Sequence, residues 1–273
     1  MKVYAKQPVM RLTIIGSGTA VIRKERRAPA FLVETGRQKL LFDCGWGAGE
    51  GLLQVGFDIQ KLDHIFITHP HADHIGHLPS LLQSLYVSGL YYPKTKRTKP
   101  LYIHAYKGFK DHYRKLKEIM FPEANSVRLG FKIRVFEYGN THRTVEGLKV
   151  LSALVPHVPG YFHSVAYRVE TAGRVFFYSG DSGFSRKLIR LARFADLALC
   201  EMSVSRKMLK LQGPRPNHLS AFECGLVAAR AGVKKLVLAH LYDNDKPKVI
   251  KQDVKKIFNG QLVISKDSQV VKF

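Results

Sequence analysis

Apolar positions along this chain follow two rhythms. Short runs rich in β-branched and aromatic residues, closed by Gly, Pro, Asp or His, read as strands at 11–15, 30–34, 39–42, 64–68, 101–104, 131–138, 148–155, 165–170, 175–179, 197–200 and 235–239. Between them, apolar residues recur every three or four positions. Leu78, Leu81, Leu82 and Leu85 mark a helix over 78–86, and Phe109, Tyr113, Leu116 and Met120 form one stripe of a helix over 106–120. Helices are also expected over 184–194, 219–231 and 246–257, with a short, weak one at 49–56. The segment 89–100 reads as a loop, and the chain closes on short strands. No repeat of solenoid length is present. No linker rich in Pro, Gly and Ser divides the chain, so one α/β domain over 1–273 is expected.

The pattern places unusual chemistry at strand ends. The run 64–68 leads directly into His69-Pro70-His71-Ala72-Asp73-His74, four potential metal ligands within six residues. Imidazole and carboxylate together suit zinc and its first-row neighbours. A solvated, His-rich loop is the bland alternative, and the apolar strand immediately before the cluster argues against it. Three later strands end the same way, on His157, on Asp181 and on His240. Loops at one edge of a rigid sheet are where binding groups gather. His163, six residues after His157, is the alternative ligand at that position. His64 has no ligand companion nearby and reads as structural, and His77, at the start of the next helix, is assigned no metal. Asp43 ends another strand, where it either faces a site or caps a helix. Gly16-Ser17-Gly18-Thr19 lacks a Walker lysine and the dinucleotide spacing, so a tight turn is the better reading.

Composition adds one further feature. With 45% hydrophobic and 24% charged residues, the chain of 273 is ordinary for a folded protein. Its 44 Lys plus Arg against 21 Asp plus Glu, a formal +23, are not ordinary. A field of one sign attracts polyanions, which makes RNA or another phosphodiester polyanion the expected partner. The loop 91–99, two tyrosines among lysines and an arginine, is a candidate for gripping such a backbone. The basic run 23–27 reads as a solvated surface. The three cysteines form no paired framework, which suggests reduced thiols in a cytoplasmic setting. No apolar run approaches the roughly 20 residues of a membrane span, so no membrane partner is expected. A second copy of the chain, as a homodimer, is the assembly considered.

Together these motifs resemble the metallo-β-lactamase superfamily of binuclear metal hydrolases. The resemblance runs from 13–19 through Asp43-Cys44-Gly45, Thr68–His74, His157, Ser179-Gly180-Asp181-Ser182 and Ala239-His240-Leu241. The second half, with Cys200-Glu201-Met202-Ser203 and His218-Leu219-Ser220, is most similar to ribonuclease Z and its phosphodiesterase relatives. The resemblance implies a four-layer αββα sandwich with two Zn2+ (Mn2+ or Fe as substitutes) at one sheet edge. It implies His69, His71 and His157 on one metal, Asp73, His74 and His240 on the other, and Asp181 between them. Asp43 would orient a ligand histidine, and Asp73 would also align the attacking metal-activated hydroxide. Glu201 would steer His218, which protonates the leaving oxygen. An endoribonuclease with tRNA 3′ ends among its candidate substrates is the implied function. A hydrolase of a small cyclic phosphodiester, or less favourably of a thioester or lactone, is the alternative, because no long Gly/Pro/Lys-rich arm of the tRNA-gripping kind is present.

Overall fold

The apolar runs pair into two seven-stranded sheets, as a computed structural model of the chain shows. It describes residues 9–92, 94, 97–120, 122, 130–205, 208, 217–242, 244 and 246–273. The first sheet contains β1 (Arg11–Gly16), β2 (Ala30–Glu34), β3 (Lys39–Phe42), β4 (His64–Ile67), β5 (Leu101–Tyr106) and β6 (Ile133–Tyr138) side by side. Its β1–β3 half is antiparallel and its β3–β6 half parallel. The second sheet contains β7 (Thr141–Val145), β8 (Leu148–Val155), β9 (Ser164–Thr171), β10 (Arg174–Tyr178), β11 (Leu197–Glu201), β12 (Lys235–Ala239) and β13 (Gln261–Ile264). Here β7–β10 are antiparallel and β10–β13 parallel. A last strand, β14 (Val270–Lys272), crosses back to pair with β1. Just beyond that pairing, Met10 and Phe273 exchange both backbone hydrogen bonds.

Aromatic side chains fill the space between the sheets. Phe42 meets Phe176, Phe31 meets Tyr178, and Phe66 and Tyr138 both meet the Tyr167 ring edge-on. Buried aromatics of this size dominate core energetics. Helices cover the outer faces. The helix Ala221–Ala231 buries Cys224, Val227 and Ala228 against the second sheet and packs on the helix Pro247–Lys255. It starts at a capping box: Ser220 accepts from the Glu223 amide while Glu223 accepts from the Ser220 amide. The αββα layering expected from the sequence is therefore observed.

Five local differences from the sequence reading appear. The helix expected over 78–86 runs on through Gly89 to Tyr91, and the Tyr92 amide closes it by donating to the Ser88 carbonyl. Tyr106, expected in a helix, ends β5, and the helix begins at Phe109 after Gly108, whose φ is 99°. Strand β7 is a finding of the structure alone: Thr141-His142-Arg143-Thr144 is an edge strand, largely exposed, with no apolar signal until Val145. The run 23–27 is not simply a solvated face, since Arg26 donates to Ser17 Oγ and the Ser265 carbonyl, and the Arg27 amide donates to Asp267. In the basic loop, 93, 95 and 96 lie outside the described residues. Arg97 is buried and donates to the Gln60 and Pro100 carbonyls rather than facing solvent.

Candidate metal centre

The parallel strands β3 and β4 of the first sheet and β10, β11 and β12 of the second end at a common edge, where β8 ends as well. Each end delivers one group. Asp43 follows β3, the 69–74 segment follows β4, His157 follows β8, Asp181 follows β10, Glu201 closes β11 and His240 follows β12. Asp43 and His240 both adopt positive φ, 54° and 58°. That left-handed conformation is uncommon outside glycine, though Asp and His tolerate it best, and it turns each side chain off the strand direction. Gly45 lets the two halves of the first sheet's edge close up: a Cβ there would lie 1.9 Å from the Asp73 carbonyl oxygen.

Donor atoms converge in overlapping groups, two of them trios on either side of Asp181, which also lies with Glu201, His218 and His240. His69 Nε2 lies 3.0 Å and His157 Nε2 3.3 Å from His71 Nδ1. Beside them, His240 Nε2 lies 3.3 Å and His74 Nε2 3.5 Å from Asp73 Oδ2. Asp181 stands between the groups, with Oδ1 3.3 Å from His74 Nε2 and Oδ2 3.4 Å from His240 Nε2 and 3.9 Å from His157 Nε2. Each trio of ligand atoms falls within 4.8 Å of one another. His163 is exposed and belongs to neither group.

The far side of each ring explains why these atoms point inward. His74 Nδ1 donates to Asp43 at 2.7 Å. His157 Nδ1 donates to the Asn217 carbonyl at 3.0 Å. His240 Nδ1 meets Ser203 Oγ at 2.6 Å, and that hydroxyl donates in turn to Glu201. His69 Nδ1 meets Thr68 Oγ1 at 3.0 Å, and Thr68 donates to Asp43. These contacts favour a proton on Nδ1 in all four, which would leave the Nε2 lone pair to a bound cation. His71 alone faces the centre through Nδ1. Asp43 is itself fixed by the Thr68 amide and the Tyr178 hydroxyl.

These residues fit metal cations. His74 Nε2 and Asp181 Oδ1 are buried polar atoms without a hydrogen-bond partner, a costly condition that a cation relieves. Burial holds His69, His71 and His157 below the usual imidazole range, which keeps their lone pairs available. Burial also opposes charge on His74, yet Asp181 and Asp43 outweigh it and hold the ring well above that range. The pull these carboxylates exert on a proton is the pull they would exert on a metal ion.

Glu201 is occupied differently. It accepts from the Ser182 and Leu219 amides and from Ser203, and both its oxygens lie 3.3 Å from His218 Nδ1. Its lone pairs are spent on positioning. His218 is half-buried, which disfavours its charge, but the Glu201 carboxylate prevails and lifts it to about 9. Its ring lies 4.9 Å from that of His157, over the cluster. The sequence pattern assigns no role to Ser203 or Tyr178. Ser203 lies two residues beyond Glu201, just past the end of β11, and donates back to it. Nothing local marks Tyr178 or the Asn217 carbonyl, because their partners are distant in sequence.

Residues 10–262 match the family described as Anti-Pycsar protein Apyc1. Ribonuclease Z of Archaeoglobus fulgidus is 25% identical over 306 aligned positions, covering 93% of this chain and 95% of that one. Uncharacterized protein Rv1339 of Mycobacterium tuberculosis is 30% identical over 236 positions, covering 85% and 81%. The metallo-β-lactamase fold protein YhfI of Bacillus subtilis superposes with a TM-score of 0.81 at 22% identity, covering 97% of this chain and all of that one. The sandwich described above is thus the metallo-β-lactamase fold.

Proposed function

The chain belongs to the Anti-Pycsar protein Apyc1 family, and from that premise we propose that it is a two-metal phosphodiesterase acting on a small cyclic phosphodiester, a cyclic nucleotide being the leading candidate. The hydrolase chemistry rests on the two converging ligand groups joined at Asp181. His69, His71 and His157 would hold one metal and Asp73, His74 and His240 the other, with Zn2+ the favoured ion and Mn2+ or Fe as substitutes. Two such cations would supply charge that neutralises a phosphodiester and would make a nucleophilic water more acidic.

The chain's own residues supply the rest. Asp73 presents a carboxylate oxygen to the reacting centre and can accept a hydrogen bond from the attacking water, fixing its direction. Asp43, Thr68 and Ser203 keep the ligand rings in one orientation. Glu201 holds His218 through Nδ1, leaving Nε2 to carry a proton to the leaving oxygen as its bond to phosphorus breaks.

The small-substrate reading is carried by the shape of the likenesses. The 306 aligned positions of the ribonuclease Z match exceed the 273 residues of this chain, so that relative carries segments with no counterpart here. The second reading is an RNA endonuclease, tRNA 3′ ends included, and the formal +23 favours it. Bis(p-nitrophenyl) phosphate, cyclic mononucleotides and a precursor tRNA, offered side by side with Zn2+ or Mn2+, separate the two. Turnover of cyclic nucleotides that Asp73→Ala abolishes is the expected result. Specific precursor cleavage without cyclic-nucleotide turnover would replace the first reading with the second.

A further inference from the structure

A cavity of about 470 Å3 opens against the metal centre, between the turn that follows β5 and the loop that joins β8 to β9. Its volume falls in the lower part of the range for small-molecule sites, roughly 300–1,000 Å3. His157 belongs to both places. Its Nε2 faces His71 and Asp181, while its side chain also lines the cavity. Phe162 forms the partition, with ring centroids 4.9 Å from His71, 5.7 Å from His69 and 5.9 Å from His157. Tyr161, beside it, is 86% exposed. A large aromatic ring held in water next to a reacting centre contributes nothing to the core.

The loop that carries these rings is held in shape. Val158 has a φ of 40°, an outlier for a β-branched residue that persists only where the surroundings impose it. The Gly183 amide donates to the Pro156 carbonyl, and Ser164 Oγ donates to the Asp181 carbonyl, so both ends of the loop are tied to the segment that bears Asp181. Across the cavity, Tyr106 is buried and its hydroxyl meets His112 Nδ1 at 2.8 Å, which fixes the His112 ring. His163, exposed at the cavity wall, adds a second imidazole. The cavity therefore offers flat apolar surfaces, and ring nitrogens that can donate or accept at the edge of a flat ligand.

We propose that this cavity holds the nucleobase of the substrate while its phosphodiester lies at the metals, the base stacking on Phe162 and Tyr161 with His112 and His163 at its polar edge. The assignment rests on the phosphodiesterase reading and narrows it to nucleotides. Base–aromatic stacking is strong enough to change affinity by about ten- to a hundredfold.

Two measurements test it. In the first, kcat/KM for a cyclic ribonucleotide is divided by that for the base-free ribose cyclic phosphate. The ratio should be about ten or more in the wild type and fall towards one in Tyr161→Ala and in Phe162→Leu. A wild-type ratio near one, or variants that keep the wild-type ratio, would overturn the subsite. In the second, 2-aminopurine riboside monophosphate is titrated with the enzyme as purified, because stacking quenches its fluorescence whether or not turnover occurs. Quenching that Tyr161→Ala removes supports the subsite, and quenching that survives both substitutions overturns it. If that quenching appears while no phosphodiester is turned over, the subsite stands and the phosphodiesterase reading falls.

Discussion

At the scale of single residues, the proton ledger around Glu201 makes the sharpest claim. Its oxygens accept two backbone amides and a hydroxyl and still face His218 Nδ1, an arrangement that fixes an imidazole without consuming its outer nitrogen. A proton donor matters in proportion to the basicity of the leaving oxygen. His218→Ala is therefore expected to lower kcat for a cyclic nucleotide, which expels an alkoxide, by roughly 10²–10⁴-fold. Its effect on bis(p-nitrophenyl) phosphate, which expels a stable phenolate, should be far smaller. Equal losses on both substrates would show that His218 supports the metals instead. Much of this centre was legible in the sequence, since His69 to His74 cluster within one loop and His157, Asp181 and His240 each close an apolar strand. What orients them was not. Asp43 reaches His74 across 31 positions and Tyr178 reaches Asp43 across 135, and contacts of that separation leave no local pattern.

Elements explain what the histidines outside the centre do. Strands β3 to β6 lie parallel, and on their shared face Gln38 donates to His64, His64 Nδ1 meets His104 Nε2 at 3.0 Å, and His104 Nδ1 meets Tyr138 at 2.8 Å. His104 is stacked on Phe66 at 4.3 Å. The sequence reading of His64 as structural agrees with this placement, whereas the chain of contacts depends on strand register and was invisible beforehand. Burial, with the Arg97 guanidinium nearby, lowers His64 to about 3, and burial with His64 nearby lowers His104 well below its usual value. Both rings are therefore neutral in the fold. Above pH ~6.5 the unfolded chain is neutral too, and the pair adds no pH dependence. Below it, the unfolded chain takes up protons that the fold refuses, and stability falls by up to about 1.4 kcal/mol per pH unit for each ring. Urea denaturation between pH 7.5 and 4.5 should show a shallower loss in a His64→Asn, His104→Gln double variant than in the wild type. Identical slopes would mean that acid sensitivity arises elsewhere.

The whole molecule carries a formal +23, and its effect depends on what binds. A cyclic nucleotide brings one charge, so kcat/KM should change by no more than about threefold between 50 and 200 mM salt. A polynucleotide gripped through six or more phosphates would lose about 10³-fold or more over the same interval. A steep salt dependence in steady-state kinetics would transfer weight to the RNA reading. Sequence pattern conveyed the strands and helices because they have different periods, while their αββα layering was implied by the family resemblance. It could not convey how each sheet joins an antiparallel half to a parallel half, or that β7 exists, because an exposed edge strand has no apolar face to announce it.

The return of β14 to β1 bears on how the protein is made. Those two strands come from opposite ends of the described chain, and beyond them Met10 and Phe273 are joined by paired backbone bonds. During synthesis β1 must wait, with its edge unpaired, until almost every other element has emerged. Exposed edges of this kind invite pairing with other chains, and contacts of long sequence separation form slowly. The candidate ligand groups divide between the two sheets in the same way, so neither sheet could hold a metal ion alone. Ribosome-bound fragments of this protein are consequently expected to be metal-free and to depend on holding factors, with ion capture following release of the completed chain.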